Sequence, residues 1–353
     1  MPRPRQNWTA EPWDDSELLE CAMVIPETAD TWTFAFRAPS GAWFDYQPGQ
    51  FLTLDLPLPG GSVQRTYTIS SSPSRPLSIS VTVKAQDGSK GSRWMLDHLK
   101  PGMRIKAFGP TGQFTMLRHP APKYLFISAG SGITPMMSMT TWAWDSGEMP
   151  DIVFVHAARR PSDIIFRRRL EQFAARVPGL QLHLTVEEEE PFSAWPGYRG
   201  RLTQIMLGLM APDYLDREVF CCGPAPFMAA VRDMLESLGY DLNRYHEESF
   251  SAPTPVEIPV EPSPPPGDAT IRFEGADLTI NCSGDDTVLA VAKQAGLNIP
   301  SGCTFGLCGT CKIRKISGDV NMIHNGGISD EEIDEGYILA CCSKPQGTVV
   351  VDI

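Results

Sequence analysis

Three cysteines share one short loop, Cys303, Cys308 and Cys311, at C-x4-C-x2-C spacing, and Cys341 and Cys342 follow far downstream beside an apolar stretch. Three thiolates in a loop with a distant fourth is the spacing that holds a [2Fe–2S] cluster. A chain carrying it must wrap closely around an inorganic core and aim amide N–H groups at sulfur. Gly302, Gly306 and Gly309 supply the backbone freedom for that. Zinc is the competing occupant of any four-cysteine set, yet structural zinc sites usually come as two short C-x2-C pairs. Of the adjacent Cys341 and Cys342 only one faces inward, because neighbours on a strand point to opposite sides.

A [2Fe–2S] cluster moves one electron at a time, so the remainder of the chain should contain an electron source. With 353 residues and 42% hydrophobic composition there is room for two or three domains with their own cores. No uninterrupted apolar run reaches the roughly 18–20 residues of a membrane span; the nearest, 124–144, is broken by Gly130, Gly132 and Pro135. The first residues lack the hydrophobic segment of a secretion signal. Nine cysteines, an odd number with four needed as reduced ligands, argue for a reducing cytoplasm. A net charge of −12 disfavours nucleic acid and anionic membrane as partners, since both need a cationic face. The acidic run 187–190 reads as solvated loop surface.

The sharpest boundary is 251–267, where seven prolines make a semi-stiff extended spacer. The rest divides into an N-terminal extension (1–16), a strand-rich segment (17–118), an alternating segment (119–250) and a C-terminal domain (268–353). In the second of these, apolar residues recur with period two, with Leu77, Ile79, Val81 and Val83 on one face, which predicts an antiparallel β-barrel or sandwich. In the third, short apolar strands at 124–127, 152–155, 180–185 and 219–222 alternate with helices near 136–144, 166–176 and 225–238. That order predicts an α/β domain with a parallel sheet and right-handed crossovers. After the spacer come strands at 270–273 and 278–281, then a helix at about 287–296 with Val288, Leu289, Val291 and Ala292 inward. The cysteine loop follows, and 349–353 closes the sheet. This succession resembles the β-grasp of plant-type ferredoxins. Leu339, Cys341 and Pro345 match that family's Leu-x-Cys-x-x-x-Pro ending. The resemblance implies Cys303, Cys308, Cys311 and Cys341 as cluster ligands, with Cys342 pointing away.

Within the strand-rich segment, Pro48, Gly49, Gln50 and Phe51 precede Arg65, Tyr67, Thr68, Ser70 and Ser71. One strand then offers a fixed cation, an aromatic face and a hydroxyl, a set suited to a pyrophosphate, a ring and a ring heteroatom. Taken alone, Arg-x-Tyr is more often surface decoration. Together with Gly91, Ser92, the Lys-Pro-Gly at 100–102 and the Gly-Pro-Thr-Gly-Gln-Phe at 109–114, these residues resemble the flavin domain of the ferredoxin–NAD(P)+ reductase family. The resemblance implies that Arg65 and Ser92 hold the flavin phosphates, that Gly91 contacts the cofactor, that Tyr67 stacks on the flavin and that Thr68 hydrogen-bonds near its reactive N5. It also implies Val83 and Lys84 as cofactor contacts. Arg93 stands where many members have Asn. The pattern favours FAD over FMN.

The strand at 124–127 runs into Gly130, Gly132, Thr134 and Pro135 and then a helix. Such a turn brings backbone to a pyrophosphate, with Thr134 as cap, Pro135 in the first turn and the helix dipole favouring an anion. Glycine turns between strand and helix also occur for packing alone. Cys222, Gly223 and Pro224 follow the last apolar strand, at the sheet edge where open α/β sheets bind ligands. Family resemblance implies that Cys222 lies beside the nicotinamide; a buried strand-end cysteine is the plain alternative, and Cys221 faces the core. After the second strand, Asp163 suits a ribose 2′-hydroxyl, whereas Arg159, Arg160 or Arg167 suits a 2′-phosphate. NADH is therefore a mild preference, with NADPH as the alternative. Glu248, Ser249 and Phe250 resemble the tail that covers the flavin.

These parts define a path: hydride from NADH to FAD, then single electrons through the cluster to an external protein. The order with the cluster last, the segment 324–330 and the Cys-Cys-Ser-Lys-Pro ending resemble reductase components that serve Rieske-type non-haem iron oxygenases, particularly betaine demethylases. They are also similar to hybrid-cluster protein reductases. The expected acceptor is a terminal oxygenase or another iron-containing protein. Asp330, Glu331, Glu332, Asp334 and Glu335 offer it an acidic face or form an ordinary solvated element. A non-catalytic electron-transfer subunit and a redox or nucleotide sensor are the readings from other classes. The intact glycine turn and Cys-Gly-Pro argue against the former.

Overall fold

The computed structural model describes residues 11–85, 88–147, 149–191, 194–250, 269–297, 299–301, 306, 309–324 and 327–353. Cys303, Cys308, Gly302 and the proline-rich spacer lie outside the described residues. The barrel and the parallel sheet belong to one compact unit, and the C-terminal sheet to another.

The first sheet contains β1 (Leu19–Pro26), β2 (Thr31–Arg37), β3 (Phe51–Leu58), β4 (Gly61–Thr68), β5 (Ile79–Lys84) and, after helix α1 (Lys90–His98), β6 (Arg104–Thr111). Its order is β4-β3-β6-β1-β2-β5, with β1 antiparallel to β2 and β6, and β2 antiparallel to β5. A bridge between Ile69 and Val81 joins the two edges and closes the sheet into a barrel. Phe34, Phe36, Leu52, Leu54 and Leu56 fill the interior. Leu77, expected on the buried face of β5, precedes the strand and is 56% exposed, because the turn there ends the alternation. The strand pattern did not reveal α1. Its buried face is only Gly91, Ser92, Met95 and Leu96, too short a helical period to stand out among strands.

The second sheet contains β7 (Lys123–Ala129), α2 (Ile133–Ser146), β8 (Asp151–Ala158), α3 (Arg167–Arg176), β9 (Leu180–Val186), β10 (Tyr198–Arg199), α4 (Gln204–Met210), β11 (Glu218–Cys222), α5 (Ala225–Ser237) and β12 (Tyr245–Glu248). All of its pairings are parallel, in the order β10-β9-β8-β7-β11-β12. Both faces are covered, which explains the continuous apolar runs. Phe126, Phe154 and Phe220 join the cluster under α2 and α3, whereas Ile127, Val155 and Cys221 join the opposite cluster with Val231 and Leu235 of α5. Cys221 thus faces core, as expected. The short elements β10, α4 and β12 had no counterpart in the sequence pattern.

The C-terminal sheet contains β13 (Ala269–Phe273), β14 (Leu278–Cys282), α6 (Val288–Gln294), β15 (Lys312–Met322), α7 (Asp330–Asp334), β16 (Tyr337–Leu339) and β17 (Ser343–Asp352), ordered β14-β13-β17-β15-β16. Val288, Leu289, Val291 and Ala292 of α6 all pack inward, and Thr287 caps the helix by accepting from the Ala290 amide at 3.2 Å. The last strand completes the sheet from within. β17 runs through its middle, parallel to β13 and antiparallel to β15, where Val349 and Val351 find neighbours on both sides.

Candidate functional site

Sheet topology fixes where a ligand enters. From β7 the chain proceeds through β8 and β9 toward one edge, while β11 and β12 lie on the other side of β7. The order therefore reverses between β7 and β11, and their carboxyl ends leave a crevice. The glycine turn follows β7 and Cys222-Gly223-Pro224 follows β11, so the two motifs meet there. Their glycines do different things. Gly130 has φ of +54° and open space where a side chain would stand. A Cβ on Gly132 would lie 2.1 Å from the Cys222 carbonyl oxygen and 2.6 Å from the Gly223 nitrogen, so its bareness serves the close packing of the two turns. Thr134, expected as the cap, sits inside α2. Gly132 takes the cap position, and the Thr134 hydroxyl donates to the Ser131 carbonyl at 3.1 Å. Pro135 is in the first turn.

A row of register partners crosses the sheet beside these turns: Glu248 on β12, Cys222 on β11, Ser128 on β7 and His156 on β8. All four are buried. Ser128 Oγ lies 2.9 Å from His156 Nδ1. From the end of β4 in the barrel, the Thr68 hydroxyl donates to Glu248 Oε2 at 3.1 Å. Burial outweighs that bond and pushes the Glu248 carboxyl up to about 8. Burial, reinforced by Glu248, lifts the Cys222 thiol well above its usual range, so it stays neutral. Burial likewise drives His156 down to about 3 and leaves it uncharged. Sequence reasoning placed Glu248 only in a covering tail. Its pairing with Thr68 spans 180 positions, and the four-residue strand that carries it leaves no clear period.

On the barrel, Tyr67 packs partly buried against the core, and Arg65 is exposed, donating Nη1 to the Gln64 carbonyl at 2.8 Å. Gly91 and Ser92 lie in the first turn of α1, whose cap residue Ser89 makes no side-chain capping bond. Arg93 leaves the opposite, exposed face and is tied to Asp97 at 2.9 and 2.5 Å. Val83 is in the barrel core and presents only its backbone, while Lys84 pairs with Asp30 at 3.4 Å. The segment after β4 is pinned to α2: Ser138 donates to the Ser71 carbonyl at 2.6 Å, and Arg75 grips Asp145 at 2.8 and 2.9 Å. Arg159 is exposed at the end of β8, Asp163 is in the short turn helix Pro161–Asp163, and Phe250 is partly exposed just beyond β12. In the acidic run Glu187, Glu188 and Glu189 are exposed as expected and Glu190 is half-buried, yet the run is paired: Glu187, Glu188 and Glu189 bridge to Arg201, Arg160 and Arg199.

In the C-terminal unit, Cys311 and Cys341 are buried together. The Cys341 amide donates to Cys311 Sγ at 3.4 Å, and the Gly306 amide donates to Cys341 Sγ at 3.3 Å. Gly306 and Gly309 both take positive φ, +76° and +67°. Cys342 is half-buried, and its thiol donates to the Leu339 carbonyl at 3.7 Å.

Three domain families match along the chain: oxidoreductase FAD-binding domain over residues 22–116, oxidoreductase NAD-binding domain over 126–233 and 2Fe-2S iron-sulfur cluster binding domain over 271–346. Over 343 residues the chain is 60% identical to the stachydrine N-demethylase reductase subunit of Rhizobium meliloti (strain 1021), covering 96% of this chain and 97% of that one. The chain belongs to this family of oxygenase reductase subunits. The reductase is also 47% identical over 357 residues to the glycine betaine monooxygenase reductase subunit of Pseudomonas aeruginosa (strain UCBPP-PA14), covering 98% and 97% of the two chains. Its fold is that of phthalate dioxygenase reductase, a modular structure for electron transfer from pyridine nucleotides to [2Fe-2S]: TM-score 0.59 at 24% identity, over 95% of this chain and 97% of that one. This reductase is an oxidoreductase whose cofactors are FAD, NAD and a [2Fe–2S] cluster. Among its described residues no helix is long and apolar enough to cross a membrane.

Proposed function

We propose that this reductase takes electrons from NADH and delivers them singly to a Rieske-type oxygenase that demethylates an N-methylated betaine. The observation that carries the reading is the meeting of barrel and sheet at the topological switch point, where Thr68 donates to Glu248, the register partner of Cys222. Relatives named as subunits of a stachydrine demethylase and a glycine betaine monooxygenase favour an oxygenase over a hybrid-cluster protein as acceptor. Free cysteines throughout the described residues fit a reducing cytoplasm. A net charge of −12 fits neither nucleic acid nor an anionic membrane as partner.

FAD, when bound, accepts a hydride from NADH and releases electrons one at a time toward the cluster. The chain's residues fit that cofactor set. Arg65, with Gly91 and Ser92 in the first turn of α1, balances the flavin phosphates, and Tyr67 presents its ring to the flavin. Thr68 supplies a hydroxyl at the reacting edge, and Glu248 keeps a proton there near neutral pH. Cys222 contributes a small uncharged surface instead of a thiolate. Gly130, Thr134, Pro135, Gly223 and Pro224 shape the dinucleotide crevice, with Arg159 and Asp163 toward the ribose and Phe250 as cover. Cys303, Cys308, Cys311 and Cys341 hold the cluster, and the amides of Gly306 and Cys341 offset negative charge on sulfur. Reconstitution with a purified betaine oxygenase tests the reading. NADH oxidation should then release formaldehyde only when this reductase, the oxygenase and the betaine are all present. Formaldehyde formed without this chain, or no transfer to any Rieske protein, contradicts it.

A further inference from the structure

β11 and β12 run side by side, and side chains alternate along each, so the face that carries Cys222 and Glu248 at the carboxyl ends carries Phe220, His246 and Glu218 toward the amino ends. Glu218 and Cys222 stand about 13 Å apart along the strand. His119, in the segment that leads into β7, completes a group of three. Its ring lies over that of His246, with centroids 3.6 Å apart and planes 24° from parallel. His246 Nε2 is 2.7 Å from Glu218 Oε1. One ligand atom from each of the three lies within 4.8 Å of the other two. A Zn2+ ion holds imidazole nitrogen and carboxylate oxygen at about 2.0–2.2 Å, which sets neighbouring ligand atoms about 3.3 Å apart. Small side-chain rotations close the remainder. The surroundings hold the group in place. Phe220 backs both rings, at 4.9 Å from His246 and 6.0 Å from His119. Arg244 Nε donates to Glu218 Oε2 at 3.2 Å, which orients the carboxylate and leaves Oε1 toward the imidazoles. The His119 carbonyl accepts from Tyr124 Oη at 3.0 Å, and its amide donates to the Met116 carbonyl at 3.2 Å. All three residues are half-buried, so an ion from solvent can reach them.

We propose that His119, His246 and Glu218 form a site for a divalent transition-metal ion of the zinc class, at the amino ends of β11 and β12 and apart from the residues read as the flavin and nicotinamide site. Two imidazoles and one carboxylate suit such a metal and leave a further position for water, whereas Mg2+ and Ca2+ favour oxygen ligands. The ion ties the segment between barrel and parallel sheet to two strands of that sheet. Binding therefore stabilises the folded chain.

The test titrates Zn2+ into the holoenzyme, with flavin and cluster loaded so that the cluster cysteines are occupied, and follows it by calorimetry and thermal unfolding. One ion per chain should bind in the micromolar range and raise Tm, and Mg2+ at the same concentration should do neither. His119→Gln and His246→Gln should each weaken Zn2+ binding about tenfold or more while keeping the flavin and cluster absorption of the parent. Cu2+ added to the oxidised holoenzyme should give an EPR spectrum split by imidazole nitrogen, an observation that needs no variant. Absence of Zn2+ binding at millimolar concentration, affinity unchanged in both variants, or a Cu2+ spectrum without nitrogen splitting overturns the proposal. The three side chains are then a hydrogen bond and a ring stack only.

Discussion

Cys341 and Cys342 are adjacent in sequence but have different partners. The Cys341 sulfur receives the Gly306 amide beside Cys311, whereas the Cys342 thiol turns to the Leu339 carbonyl. Cys341→Ala should therefore abolish the visible-region iron–sulfur absorption and Cys342→Ala should retain it; the reverse pattern exchanges the ligand. At the other site, Glu248 titrates at about 8 in the folded protein against a usual 4.5. The folded chain thus holds a proton that the unfolded chain releases. The group's stabilising contribution is complete below about pH 4.5 and is lost as pH rises toward and through 8. Glu248→Gln keeps an acceptor for Thr68 and removes the titration. Its Tm relative to the parent should climb steadily between about pH 5 and about pH 8; a constant offset across that range would show that Glu248 is ionised throughout.

At the scale of elements, the two glycines of the turn after β7 separate packing from ligand approach. Gly132→Ala would push a methyl into the Cys222 carbonyl and force apart the turns after β7 and β11. We expect a loss of about 2 kcal/mol or more, together with slow flavin reduction by NADH. Gly130→Ala meets no neighbour and carries only the strain of its positive φ, about 1 kcal/mol. Thermal unfolding and rapid-mixing kinetics of both variants check the contrast, and equal effects would remove it. The elements that were legible in the sequence were those whose signal is local. The strands at 124–127, 152–155 and 219–222 are apolar on both faces, and the α6 stripe of Val288, Leu289, Val291 and Ala292 faces one core. Illegible were elements too short to show a period, such as α1 and β12, and pairings between distant segments. Thr68 with Glu248 and Arg160 with Glu188 each join residues whose own neighbourhoods suggest solvated strand ends. The place of β17 in the middle of its sheet was not legible for the same reason, since strand order is set by partners far away in the chain.

At the scale of the whole molecule, the reductase carries an acidic excess, and part of it is concentrated on α7. There Ser329 and Glu332 form a capping box and Glu332 also pairs with Lys312 at 2.5 Å, so this carboxylate serves the helix itself. If Asp330, Asp334 and Glu335 meet a basic face of the oxygenase, electron transfer between the proteins should slow as ionic strength rises through the range where the Debye length falls to about 8 Å. A rate independent of salt would mean that docking is not electrostatic. The central claim is that one polypeptide receives an electron pair from NADH and releases it singly through iron and sulfur. Anaerobic stopped-flow mixing of the purified holoenzyme with NADH tests it most directly. The account predicts rapid bleaching of both the flavin and the iron–sulfur absorption, followed by an EPR signal from the reduced cluster on freezing. Persistence of the oxidised spectrum, with no such signal, would contradict it.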